Sequence, residues 1–225
     1  MRVLIFSSPR SASYSYGTLL SETHGLYDVG EPWPLYFYDN PNLKTTLEQS
    51  NELYLGNQNA CMKLHSGHVA EYMPHRHRGW FQDVLNATDE IHFLLRKDTQ
   101  AQIKSLFVAN YYSTLVDKQD KFFKNVFEGT WQEDLVIPDT PVNRALWKRM
   151  EMLIHVNLVG LSILYHTLID QNPKVVWTED IVDKLPGQKY NRPVKFDWEP
   201  EYMFANDEFY PAQNNQIFAP NKDKF

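Results

Sequence analysis

The segment Ser7-Ser8-Pro9-Arg10-Ser11-Ala12-Ser13 has the composition of an anion-binding loop. It lies between a short apolar run at 2–6 and an amphipathic stretch that begins near residues 13–15. The sequence therefore predicts a buried strand, a tight polar turn and a helix N-terminus. The backbone N–H groups of such a turn, the helix dipole and the Arg10 guanidinium together favour a phosphate or sulfate group. The G-x-x-x-x-G-K-[ST] pattern is absent, which disfavours ATP or GTP hydrolysis of the Walker type.

A second group of reactive side chains follows the next buried run. Lys63 and His65 are two residues apart, so they project from the same face of a strand. Such a pair offers a cation for a leaving oxygen and a base for an attacking hydroxyl. Glu31 competes for the role of base, because a carboxylate among prolines and a tryptophan loses water and gains a higher pKa. We favour His65 and retain Glu31 as the alternative.

A third group stands at the end of the apolar run 91–95. Arg96 and Lys97 precede a predicted helix that carries Ser105. An arginine binds a phosphate with two parallel hydrogen bonds, and a hydroxyl completes the coordination of the anion. Arg96 and Lys97 are both candidates for this cation, and Ser105 lies nine residues after the first and eight after the second.

These three groups require strands that alternate with helices. Strands are predicted at 2–6, 27–30, 60–64, 91–95 and 175–177. Helices are predicted from 13–15 to just before Gly25, from 40–41 to 56, over 98–115 and 141–169, and from 178 onward. This alternation predicts an α/β protein with a parallel sheet covered on both faces, which binds ligands at the carboxyl ends of its strands. We expect one domain over 1–225, an irregular C-terminal segment from about 186, and a surface excursion or lid at 114–140.

The loop at 7–13 resembles the 5′-phosphosulfate loop of the sulfotransferases that use 3′-phosphoadenosine 5′-phosphosulfate (PAPS). The resemblance extends over about residues 1–110 and implies a P-loop NTPase-like three-layer fold with a central parallel sheet. It implies that the 5′-phosphosulfate would be surrounded by the residues Arg10, Ser11, Ala12, Ser13 and Tyr14. It places Arg96 or Lys97, together with Ser105, on the nucleotide 3′-phosphate. The Lys-x-His at 63–65 is similar to a pair that many members carry, and Glu31 to the acidic residue of some bacterial and carbohydrate-directed members.

Two positions depart from the family pattern. Ala12 stands where the family usually has glycine, and its methyl group restricts positive φ. The turn is therefore either right-handed there or an imperfect match. The family's spacing from arginine to serine is commonly eight, which Lys97 meets and Arg96 does not. A weak similarity at 187–192 makes Lys189 and Arg192 further candidates for the 3′-phosphate.

The resemblance implies transfer of a sulfuryl group from PAPS, as co-substrate, to a hydroxyl or amine of a small-molecule or carbohydrate acceptor. It implies no metal. The rings of Trp33, Tyr36, Phe37 and Tyr38, and the loops at 32–41, 66–78 and 114–140, are expected to bind the acceptor. Two alternatives remain, namely a nucleotide or small-molecule kinase with a degenerate phosphate loop and a non-catalytic binding protein with the same fold.

Composition limits the partners and the compartment. The 225 residues contain 22 Lys and Arg against 28 Asp and Glu, a net charge of −6. Such a chain is not expected to coat nucleic acid or an anionic membrane. A single cysteine, Cys61, indicates a reducing compartment, so we expect a cytoplasmic protein. His65, His68, His75 and His77 match no common zinc spacing, and no metal is expected.

Overall fold

The computed structural model describes residues 1–32, 47–72, 78–115, 135–185 and 194–203. Within these ranges the strands are β1 (Arg2–Ser7), β2 (Tyr27–Gly30), β3 (Ala60–Leu64), β4 (Glu90–Leu95), β5 (Leu135–Ile137), β6 (Lys174–Trp177) and β7 (Val194–Phe196). The helices are α1 (Ser13–His24), α2 (Leu47–Gly56), α3 (Ser66–Tyr72), α4 (Arg78–Ala87), α5 (Thr99–Leu115), α6 (Pro141–Thr167) and α7 (Thr178–Ile181). A 3₁₀ turn, Ile169–Gln171, follows α6.

Five of the strands form one parallel sheet in the order β2-β3-β1-β4-β6. The central strand β1 pairs with β3 on one side and with β4 on the other, so that Ile5 lies opposite both Lys63 and His92. The chain leaves β1 toward one half of the sheet and later crosses to the other. In open parallel sheets, ligands bind at the carboxyl ends of the strands where the order reverses in this way.

Helices flank this sheet, and alternate residues of β1 enter two separate cores. Leu4 and Phe6 belong to a large core that also contains Phe107 of α5 and Trp147 of α6. Val3 and Ile5 belong to a smaller core with α1 residues such as Tyr16 and Leu20. Burial on both faces explains why the strand is continuously apolar. The predicted α/β class with a central parallel sheet flanked by helices is confirmed.

The end of helix α1 and the start of helix α6 follow their sequence signals. Gly25 adopts the left-handed conformation (φ 64°), and its N–H donates to the Ser21 carbonyl, as expected of a glycine that terminates a helix. At the start of α6, the Thr140 side chain accepts a hydrogen bond from the Asn143 N–H, and Pro141 occupies the first helical position.

Two predictions of irregular structure are corrected. The segment 66–72 is not a loop but helix α3, and α4 begins at Arg78. Part of the segment after 186 is the strand β7, which pairs in parallel with β5. The predicted start of α2 and residues 116–134 lie outside the described ranges. No helix within those ranges has the length and apolar character needed to cross a membrane.

Candidate active site at the carboxyl edge of the sheet

The loop between β1 and α1 has an unusual backbone. Arg10 and Ala12 both have φ 63°, in the left-handed region, on either side of the fully buried Ser11. Of the two alternatives left open for this turn, the right-handed one is excluded, because Ala12 adopts the glycine-like left-handed conformation despite its methyl group. Each such residue costs about 1–2 kcal/mol relative to a right-handed one. Backbone alternation of this kind is typical of loops that bind anions through N–H groups. Within this loop the Ser11 N–H donates to the Ser8 carbonyl at 3.3 Å.

Side chains from two other elements fix this loop. The Gln102 amide of α5 donates to the Ser8 hydroxyl and to the Pro9 carbonyl, each at 2.5 Å. The Thr178 hydroxyl, at the start of α7, lies 2.8 Å from the Ser11 carbonyl. The Ser11 hydroxyl donates to the Ser8 carbonyl at 2.8 Å. At about 1 kcal/mol each, these hydrogen bonds are of the size needed to offset the backbone strain.

Arg10 links the first group of predicted residues to the third. Its Nε donates to the Ser105 hydroxyl at 3.1 Å, although the two residues are 95 positions apart in sequence. The sequence assigned these residues to two different phosphates, and the structure places them together. A hydroxyl that accepts from a guanidinium retains its own proton to donate to an anion.

Arg96 and Lys97 both contact the acidic turn at the start of α7. The Glu179 carboxylate accepts hydrogen bonds from the backbone N–H groups of Lys97, at 3.0 Å, and of Asp98, at 3.1 Å. The Lys97 ammonium forms an ion pair with Asp180. Arg96 is held more loosely, since its Nε lies 3.8 Å from Glu179. The closer ion pair of Lys97 favours Arg96 as the cation that could turn to a phosphate.

Glu31 and His65, the two candidates for the base, form an ion pair with each other. His65 Nε2 lies 2.8 Å from a Glu31 carboxylate oxygen, and His65 Nδ1 lies 2.7 Å from the Ser7 carbonyl. Both partners are acceptors, so both ring nitrogens act as donors and the imidazole is positively charged. We call Glu31 and His65 the carboxylate–imidazolium dyad.

Within the dyad, the pKa of His65 is raised and the pKa of Glu31 is lowered. Burial alone would lower the pKa of His65, but the charge of Glu31 and the hydrogen bonds to Glu31 and Ser7 raise it above its usual value. Burial alone would raise the pKa of Glu31, but the charge and hydrogen bond of His65 lower it overall. Both shifts favour the charged pair, with Glu31 as a carboxylate and His65 as an imidazolium.

His68 lies beside the dyad as a neutral imidazole. Its side chain is buried, its Nδ1 accepts the His65 backbone N–H at 2.9 Å, and its ring stacks on that of His65. Burial, and then the charge of His65, lower the pKa of His68 to about 4. His75 and His77 lie outside the described residues. Within the described ranges, no group of three His, Cys, Asp or Glu side chains is arranged to hold a metal ion.

Lys63 lies under helix α1 in a buried ion pair. Its ammonium is 3.1 Å from an Asp28 carboxylate oxygen, and its side chain is 3% exposed. Gly17 lies directly above, where an added Cβ would come within 2.7 Å of Asp28 and 3.1 Å of Lys63. The ring of Tyr14 covers the ammonium at 5.1 Å. Lys63 acts on the dyad through its charge, which lowers the pKa of both members.

Sequence reasoning missed the residues that support the loop. Gln102 lies three residues before Ser105, so both occupy the same face of α5, and this spacing is the signal that could have found it. Thr178 was recognised only as part of a helix start. Asp28 gave no signal, because its pairing with Lys63 depends on β2 lying beside β3.

Several predicted residues fall outside the described ranges. They are the proposed acceptor-binding rings Trp33, Tyr36, Phe37 and Tyr38 and the late basic residues Lys189 and Arg192. Ser13 is described as the first residue of α1, immediately after the left-handed Ala12. No family model, curated protein or solved structure matches this chain.

Proposed function

We propose that this protein is a PAPS-dependent sulfotransferase with a P-loop NTPase-like fold, which transfers a sulfuryl group to a hydroxyl or amine of a small-molecule or carbohydrate acceptor. The observation that carries the proposal is that the last residue of β1 and the loop that follows it contact both of the other reactive groups. Arg10 donates to Ser105, and the Ser7 carbonyl accepts from His65. An anion-binding loop is thereby connected to a second anion-binding hydroxyl and to a carboxylate base, as sulfuryl transfer requires.

The donor set of the loop suits a phosphosulfate group. Left-handed Arg10 and Ala12 shape a concavity of backbone N–H groups, and α1 adds the positive end of its dipole. The Arg10 guanidinium and the Ser105 hydroxyl supply side-chain donors at its rim. When bound, PAPS supplies the sulfuryl group, and cleavage of its sulfur–oxygen bond leaves adenosine 3′,5′-bisphosphate.

Glu31 is the general base in this proposal. His65 carries a proton on each ring nitrogen and therefore has no lone pair with which to take another. The Glu31 carboxylate is ionised, is 39% exposed, and accepts the proton of the acceptor hydroxyl or amine as the acceptor attacks sulfur. His65 holds the carboxylate in position, and the Ser7 carbonyl in turn holds His65.

Cations at the loop bind and neutralise the leaving phosphate. Arg10 is the nearest guanidinium to the concavity, and its charge offsets the negative charge that develops on the 5′-phosphate oxygen. Arg96, loosely paired with Glu179, is the candidate for the 3′-phosphate. Lys63 contributes a positive field from beneath α1 while it remains paired with Asp28.

Calorimetric titration with adenosine 3′,5′-bisphosphate and, separately, with ATP–Mg²⁺ tests the nucleotide. We expect the bisphosphate to bind and ATP–Mg²⁺ to bind far more weakly. Arg10→Ala should lower the affinity for the bisphosphate about tenfold or more, since charge-assisted hydrogen bonds contribute about 1.5–3 kcal/mol each. Arg144→Ala is the matched control, because Arg144 is a surface arginine of α6 that forms an ion pair with Asp139, just before that helix. Equal affinity in the two variants would contradict the assignment of the loop.

The reaction is tested with sulfur-labelled PAPS and a panel of phenols, sugars and amines. Glu31→Gln should bind adenosine 3′,5′-bisphosphate normally and lose about 10²–10⁴-fold in transfer rate. Glu22→Gln, on the exposed side of α1, serves as the control. Preference for ATP–Mg²⁺ would indicate the kinase alternative, and failure to bind either nucleotide would indicate the non-catalytic alternative.

A further inference from the structure

We propose that Gln102 and Thr178 are positioning residues, which set the loop at 8–12 in its anion-binding shape by binding the carbonyl oxygens of that loop. The inference rests on the proposed function for its benefit to catalysis. The positioning itself is a property of the folded chain and is measurable without a ligand. Neither residue belongs to the anion-binding or base groups described above.

Thr178 joins the loop to the end of a neighbouring strand. Its hydroxyl lies 2.8 Å from the Ser11 carbonyl and 3.0 Å from the Leu95 carbonyl, and both of these oxygens are acceptors. The single hydroxyl proton is shared between them, which ties the loop after β1 to the end of β4. Thr178 is 8% exposed, so water does not readily replace this contact. The neighbouring Glu179 holds the backbone of the loop that follows β4.

Gln102 acts on the other half of the same loop. Its amide nitrogen donates to the Ser8 hydroxyl and the Pro9 carbonyl, and the residue is fully buried. Proline has no N–H, so Pro9 offers the loop only an oxygen, which would point at an incoming anion if it were released. Gln102 keeps that oxygen directed into the protein.

The two residues together account for the orientation of the whole loop. The carbonyl of Ser8 accepts from Ser11, that of Pro9 accepts from Gln102, and that of Ser11 lies within reach of Thr178. These three carbonyl oxygens are therefore held by donors of the protein itself and are not presented to an incoming anion, which they would repel. Removal of either support frees a carbonyl and also releases the left-handed residues Arg10 and Ala12 from their strained conformation.

Hydrogen exchange of the Ser11 and Tyr16 backbone amides, measured without ligand, tests the positioning directly, because these amides donate to the Ser8 and Ala12 carbonyls of the loop. Thr178→Val keeps the shape of the side chain and removes the hydroxyl, and Gln102→Met removes the amide. We expect at least tenfold faster exchange of these two amides in each variant. Thr178→Ser should restore the wild-type rate, which a general loss of packing would not allow. The controls are Thr167→Val and Gln82→Met, whose side chains bond within their own helices.

Calorimetry with adenosine 3′,5′-bisphosphate on the same variants tests the functional consequence. We expect about tenfold weaker binding for Thr178→Val and Gln102→Met, and wild-type binding for Thr178→Ser. Unchanged exchange of the Ser11 and Tyr16 amides in both variants would overturn the inference. Faster exchange in a protein whose wild type does not bind the nucleotide would support the positioning and overturn the proposed function, so the two failures are distinguishable. Faster exchange with undiminished affinity would overturn the link between loop shape and binding.

Discussion

Replacement of Ala12 by glycine is expected to stabilise this protein. Most alanine-to-glycine changes destabilise, because glycine gains more conformational entropy in the unfolded chain, at a cost of about 0.5–1 kcal/mol. Ala12 differs because its backbone is left-handed (φ 63°, ψ 28°). An L-residue with a Cβ is disfavoured in that conformation by about 1–2 kcal/mol, and glycine is not. The difference leaves a net gain of about 0.5–1 kcal/mol.

The change in melting temperature follows from this gain. For a chain of this length, 1 kcal/mol corresponds to about 2–4 °C, so Ala12→Gly should raise the melting temperature by about 1–4 °C. Ala145→Gly is the matched control, since Ala145 is an exposed residue within the right-handed helix α6. That variant should lose about 1 kcal/mol and melt about 2–4 °C lower.

Differential scanning calorimetry and urea denaturation on both variants measure the effect. Opposite signs for Ala12→Gly and Ala145→Gly are the expected result. If Ala12→Gly destabilises as much as the control, the loop is not strained at that position, and the argument for an anion-binding concavity loses its main support. Ala12→Gly should also keep its affinity for adenosine 3′,5′-bisphosphate, because glycine retains the N–H group and the permitted φ.

Three further changes test the surroundings of the site. Gly17→Ala should lower the free energy of unfolding by about 1–3 kcal/mol, because its Cβ would lie 2.7 Å from a carboxylate oxygen of the ion pair beneath α1. Gly79→Ala is the control, because a Cβ added at Gly79 would meet no other atom within 4 Å. In urea denaturation this variant should raise the free energy of unfolding by up to about 1 kcal/mol. His68 has a pKa lowered to about 4, so the folded protein loses stability as pH falls below 6.5, by about 2 kcal/mol at pH 5. His68→Asn should remove that loss, and an unchanged acid limb would contradict it. The Glu31–His65 dyad stabilises most between pH 4.5 and 6.5, because the pKa of the carboxyl is lowered and that of the imidazole is raised. The stabilisation is lost as pH falls through the lowered pKa of Glu31 and as pH rises through the raised pKa of His65. A His65→Gln variant whose stability has the same pH profile as that of the wild type would refute this.

The longer strands were predictable because most of their residues are apolar. A run such as 2–6 or 91–95, bounded by turn residues, has few alternatives to a buried strand. The shorter strands β5 and β7 were not predicted. Three residues each are too few to show a period, and their parallel pairing joins segments nearly sixty residues apart. Helix α3 was missed because its seven residues include glycine and histidine and follow a strand directly, which also fits a loop.

The reactive residues could be identified from the sequence more readily than their relationships. Glu31 and His65 were competing candidates for one role, since nothing in a linear pattern indicates that they touch. The structure shows them as donor and acceptor in one dyad, which separates their roles. Lys63 was correctly placed at the end of β3, but its partner Asp28 is set by the neighbouring strand β2.

The strand order explains why three separate motifs meet. Because β1 is central, its carboxyl end is adjacent to those of β3 and β4 at once, and no other strand of the sheet has both neighbours. The last residue of β1 and the loop that follows it therefore reach His65 on one side and Ser105 and Thr178 on the other. A substitution that disturbs this loop should affect the base and the anion-binding groups together. A change in the loop after β3 should affect only the base, and a change in the loop after β4 should affect only the anion-binding groups. That asymmetry follows from the topology alone and gives the loop at 8–12 its central place in the proposed site.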